Sequence, residues 1–144
     1  TYFDDTTFSL RGKNFYITHG DGVLSWDYGY RILKKIIRSP FFIWCFRLLH
    51  PTLAYKIARK VSRTENHPEL PEEVREKIRN ELKKYALTHF QKGFDYMVCG
   101  HYHLNEIIDV EKGKLAVLGD WQDDPSYAVF DGKELTLHQW ENDA

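Results

Sequence analysis

The chain has 144 residues, 42% of them hydrophobic and 28% charged, with a net charge of -1. That is enough chain for one folded core and too little for two, and the composition excludes a disordered or fibrous protein. Cys45 and Cys99 have no framework spacing, so a reducing, cytoplasmic setting is expected, and the first residues carry no secretory-leader pattern.

In chain order, Phe8 to Leu10 and Phe15 to Thr18 flank Arg11-Gly12-Lys13-Asn14, which predicts a β-hairpin turning at Gly12. It delivers His19-Gly20-Asp21 to a strand end. Read from the residues alone, His19 is a turn histidine or a ligand, and Asp21 is an N-cap or Asx-turn residue. Asp4-Asp5 is set aside as a ligand pair, because neither residue is expected at a strand end.

From residue 28 to residue 64 there are nine Lys or Arg and no acid, which leaves eleven basic residues against twenty-one acidic ones elsewhere. Ile32, Leu33, Ile36 and Ile37 share one helical face, and Arg31, Lys34, Lys35 and Arg38 the other. Ser39-Pro40 breaks this helix, and the apolar run from Phe41 to Leu49 is too short to span a bilayer. Pro51 then opens a further helix carrying Arg59 and Lys60. The block reads either as a core-packed insertion with a solvated charged side or as a cationic, apolar cap that touches anionic lipid. Nucleic acid is not expected as a partner, since the basic residues alternate with bulky aliphatics.

Thr64 to Leu70 reads as a polar linker. Pro71-Glu72-Glu73 opens a helix with a stripe of Val74, Ile78, Leu82, Tyr85 and Phe90, closed by Lys92-Gly93. His67 and His89 read as a surface and a helix-end histidine. Tyr96 to Cys99 predicts a buried strand that runs into Gly100-His101-Tyr102-His103. Two hairpins follow, one around Glu111-Lys112-Gly113 and one around Asp131-Gly132, and together they are expected to complete one sheet.

With His19-Gly20-Asp21 upstream and Gly100-His101-Tyr102-His103 downstream, the chain resembles the carboxy-terminal half of the calcineurin-like metallophosphoesterases. The resemblance implies an α/β (α+β) fold: half of a four-layer αββα sandwich, one partial domain over residues 1–144 with a basic helical cap inserted at 28–64. It implies a centre of two divalent ions, Mn by preference and Fe or Zn as alternatives, with His19 and His101 on one ion and His103 on the other. Asp21 would orient the site. The family's Asp-x-His, Gly-Asp and Gly-Asn-His-Asp-like turns do not occur here, so roughly a hundred residues of a βαβ half are expected to be missing. The chain alone is expected to be inactive, with an exposed sheet edge open to self-association.

Within that superfamily the pattern resembles the UDP-2,3-diacylglucosamine hydrolase branch. Asp27 stands eight residues after His19, Ser39-Pro40 and Ile57-Ala58-Arg59 lie in the cap, and Leu118-Gly119-Asp120-Trp121 matches the closing strand. Those enzymes work peripherally on the cytoplasmic face of the inner membrane, in the lipid A precursor pathway. They cleave the diphosphate of a nucleotide-linked glycolipid. The resemblance implies sugar contact by Asp27, which also reads as a helix cap, and phosphate or lipid contact by Arg59 and Lys60. Two departures concern the substrate: Thr64-Glu65-Asn66-His67 replaces a Ser/Lys-rich segment, and Leu104-Asn105 replaces Arg-Pro after the second histidine.

Overall fold

The computed structural model describes residues 5–26, 28–61, 71–121 and 124–140. Among the described residues the chain is mixed α/β, with four helices and a mixed sheet. Strands β1 (Thr6–Leu10) and β2 (Lys13–Thr18) form the first hairpin. Its two-residue turn places both Arg11 and Gly12 at positive φ, 50° and 79°, the conformation that matches strand twist. Helix α4 (Glu72–Phe90) crosses over from β2 to the parallel strand β3 (Tyr96–Cys99). Strands β4 (Glu106–Val110) and β5 (Gly113–Val117) follow as a hairpin, and β5 inserts parallel to β3. The five-stranded order is β1-β2-β3-β5-β4.

The central strands are buried on both faces, so alternation along them sorts the core into two halves. Tyr16, Met97, Cys99, Leu115 and Val117 face α4 and pack on Ile78, Leu82, Ala86 and Phe90. Phe15, Tyr96 and Ala116 face the other way. There they meet a separate two-stranded sheet, β6 (Ser126–Phe130) and β7 (Leu135–Gln139), through Leu135, Ala128 and Phe130. The expectation that both late hairpins complete one sheet is therefore corrected: β4 and β5 join the main sheet, while β6 and β7 lie across its face. The physical reason is the apolar residues Tyr96, Val98 and Ala116, which need cover opposite α4.

His89 is at the end of α4, as read, but it is also buried. Its ring stacks on Tyr16 at 4.0 Å and its Nδ1 lies 3.0 Å from the Tyr85 carbonyl. Gly113 is required by packing: a Cβ there would come within 2.5 Å of the Phe90 ring.

Between β2 and α4 run α1 (Tyr28–Ile37), α2 (Pro40–Arg47) and α3 (Pro51–Val61). Ser39 caps α2 by accepting from the Phe42 amide at 3.2 Å, and Pro40 takes the first helical position, where its missing N–H costs nothing. The core-packed alternative is not what the structure shows. Ile32, Leu33, Ile36 and Ile37 of α1 are exposed, and α2 has no buried residue. Among the described residues, no helix is long and apolar enough to cross a membrane. The segment from residue 62 to residue 70, with His67, lies outside the described residues.

Candidate metal centre at the strand ends

Strands β2 and β3 are adjacent, parallel and in register at Thr18 and Cys99, so the two chains leave the sheet side by side. The first of them turns at a glycine whose backbone favours no other residue. Gly20 has φ 93°, and a Cβ on it would approach the Gly100 carbonyl oxygen to 3.3 Å. This close approach brings the His19 and His101 rings together edge to face, with centroids 5.2 Å apart. Tyr102 turns inward and is buried, its amide donating to the Gly100 carbonyl at 2.7 Å.

Beyond Gly100 the backbone alternates. His101, His103 and Asn105 have φ of 65°, 49° and 51°, all left-handed without being glycine. Each such residue costs about 1–2 kcal/mol, and such strain gathers at functional sites. Part of it is offset by side-chain ties to the segment after β5. Asn105 Nδ2 donates to Asp124 Oδ2 at 2.5 Å, and His103 Nδ1 lies 3.3 Å from Asp120 Oδ2. The next parallel strand supplies Asp120, since Val117 pairs with Cys99 and the Leu118 amide donates to the Cys99 carbonyl at 2.8 Å. His19, His101, His103 and Asp120 thus hang from the carboxyl ends of three neighbouring parallel strands, where open α/β sheets place their ligands.

A cleft of about 1340 Å³ opens beside these turns, lined by His19, Asp21, Arg31, Lys34, Arg38 and Asp5 among others. The cap reaches it through its basic face. Arg31 donates to the Gly22 carbonyl at 2.9 Å and the Leu24 carbonyl at 3.1 Å, and Lys34 pairs with Asp21. Asp5 is the residue that sequence reasoning missed. It precedes β1, whose antiparallel pairing with β2 returns it to the His19 end of the sheet. The dismissal of Asp5 as remote from any strand end is corrected, and the hairpin register was the signal that could have found it. The Tyr16 hydroxyl donates to Asp5 and lies 3.0 Å from the Tyr85 hydroxyl. Desolvation, then the bond to Asp5, holds the Tyr16 phenol well above its ordinary range.

Arg59 is exposed on α3, Lys60 falls within the same helix, and Asp27 and Asp4 lie outside the described residues. The basic side chains lining the cleft are Arg31, Lys34 and Arg38.

Imidazole suits Mn, Fe and Zn, and carboxylate draws a site toward Mn, so the donor types fit a divalent ion. Among the described residues, however, no three His, Cys, Asp or Glu side chains are grouped to hold one. Nearby Cys99 is buried on the α4 side of the sheet, and burial pushes its thiol up to about 12.

No protein-family model matches the chain. Among curated proteins, a UDP-2,3-diacylglucosamine hydrolase of Pseudomonas putida is 30% identical over 124 residues, covering 82% of this chain and 50% of that protein. One of Porphyromonas gingivalis is 30% identical over 154 residues, covering 94% of this chain and 58% of that protein. One of Pseudomonas entomophila is also 30% identical over 124 residues. The chain spans about half the length of the curated relatives it matches. Over that stretch, the chain is similar to the UDP-2,3-diacylglucosamine hydrolases, which are metallophosphoesterases.

Proposed function

We propose that this chain supplies the carboxy-terminal half of a metal-dependent phosphoesterase. The enzyme would cleave the diphosphate of UDP-2,3-diacylglucosamine, releasing UMP and a lipid monosaccharide phosphate. The observation that carries the reading is the meeting of His19 and His101, 5.2 Å apart, at the ends of two parallel strands in a chain 30% identical to such hydrolases. His19 and His101 would hold one divalent ion and His103 the other, Mn by preference, with the remaining ligands supplied from outside this chain. When bound, two such ions would supply an acidified water and neutralise charge on the phosphoryl group.

The chain's own contribution is binding and orientation. Arg31, Lys34 and Arg38 set positive charge along the cleft, which favours a diphosphate. The exposed apolar faces of α1 and α2 suit acyl chains and an anionic membrane surface. Asp27 would meet the sugar, with Arg59 and Lys60 at phosphate or lipid. With its remaining ligands outside, the chain would be inactive by itself.

A chimera joining this chain to the amino-terminal half of a Pseudomonas relative tests the reading. It is expected to release UMP from UDP-2,3-diacylglucosamine only with Mn or a similar ion. His19→Ala, His101→Ala and His103→Ala should each remove most of that activity. Activity of the His101→Ala chimera in chelator would overturn the metal assignment. The exposed cap also favours a second reading, a membrane-surface module without catalysis. A folded, metal-free and inactive chimera that still binds vesicles would establish it.

A further inference from the structure

We infer that Asp120 is a positioning residue, whose carboxylate fixes the ring orientation and tautomer of His103 so that Nε2 is the nitrogen presented to a divalent ion. This rests on the metal reading above and goes beyond it, because it names the group that prepares one of the proposed ligands.

Two observations and one rule of imidazole chemistry converge. Nδ1 of His103 is 3.3 Å from Asp120 Oδ2, so the Nδ1–H tautomer gains a carboxylate acceptor that the other tautomer lacks. An imidazole that donates through one nitrogen offers the lone pair of the other, the arrangement in which a carboxylate raises a ligand's basicity. His103 also needs such a tie, because its backbone is left-handed and its side chain is 43% exposed, so packing alone does not fix the ring.

The Asp120 carboxylate is itself held in place. It lies three residues beyond the end of β5, and the Asp120 carbonyl accepts from the Asp124 amide at 2.9 Å. The Gly119 amide donates to Ser126 Oγ at 2.7 Å. Position 119 must be glycine, since a Cβ would come within 2.1 Å of the Asp124 carbonyl oxygen. Asp124 in turn accepts from Asn105 at 2.5 Å and from Gln139 at 2.6 Å. The segment after β5 therefore holds the double-histidine turn at two points, Asp120 at His103 and Asp124 at Asn105.

The test uses the 144-residue chain with 15N-labelled imidazoles and Zn2+ alone as the probe. In the neutral-imidazole state His103 is expected as the Nδ1–H tautomer. Asp120→Ala should shift His103 toward Nε2–H and weaken Zn2+ binding by roughly 10-fold or more. Asp120→Asn keeps an acceptor oxygen, so it should restore the tautomer and most of the affinity. Three results would overturn the inference: a wild-type Nε2–H tautomer, an Asp120→Ala chain unchanged in both readouts, or an Asp120→Asn chain as weak as Asp120→Ala, which would make Asp120 a direct ligand. Should the 144-residue chain bind no Zn2+ without the ligands proposed to lie outside it, the tautomer of Asp120→Ala alone decides the positioning role, and the chimera decides the metal reading.

Discussion

Met97, Leu115 and Val117 in the central strands are fully buried, whereas Phe41, Trp44 and Leu48 around α2 are 74%, 59% and 67% exposed. Both regions are rich in apolar residues, so composition does not separate them. The sheet finds its partners inside the chain, with α4 on one face and the β6–β7 hairpin on the other. The cap is attached by polar links from Arg31 and Lys34 to the Gly20–Leu24 turn, and its apolar faces remain turned outward. Burial marks the sheet as the structural unit. Exposed apolar area of this extent is what the proposed contact of the cap with a lipid surface requires.

The largest test of this contrast is Leu82→Ala, which opens a cavity between α4 and the sheet. It should cost about 2–5 kcal/mol in chemical denaturation. A loss near zero would show that the sheet is not the stability core. The next largest effect falls on binding to anionic vesicles. Lys35, Arg47 and Lys56 are exposed on the cap, and converting all three to Glu should weaken vesicle binding by about 1 kcal/mol per charge, more at low salt. Unchanged binding by sedimentation would remove the lipid role from the cap's basic face. The smallest effect is Phe41→Ala, expected to change folding stability by about 0.5 kcal/mol at most. A cost like that of Leu82→Ala would mean that the cap is packed after all, and the contrast would collapse.

Much of the architecture was legible because local chemistry and tertiary packing agree. Arg11-Gly12 specified the first hairpin, Ser39-Pro40 separated α1 from α2, and Pro71-Glu72-Glu73 with Lys92-Gly93 bounded α4. What stayed hidden depends on contacts between distant segments. Alternation in Ser126–Phe130 and Leu135–Gln139 identifies strands but not which sheet they enter, which Tyr96 and Ala116 decide across the core. Asp5 looked remote because its place at the His19 end follows from β1–β2 register and not from any motif around it. His89 sits at a helix end in sequence, and only the stacked Tyr16 ring reveals why it is buried. At the candidate site, the glycine turns and paired imidazoles were visible in His19-Gly20 and Gly100-His101. The left-handed backbone at His101, His103 and Asn105 was not, since nothing about those residue types requires it.

The central claim is that His19, His101 and His103 serve one metal centre at the strand ends. Mn2+ added in small amounts to the 15N-histidine-labelled chain tests it directly, because a paramagnetic ion broadens the imidazoles nearest to it. The account predicts that His19, His101 and His103 broaden together and first, while His50, His89 and His138 stay sharp. Broadening centred on His50 or His138, or none confined to the strand-end turns, would contradict it.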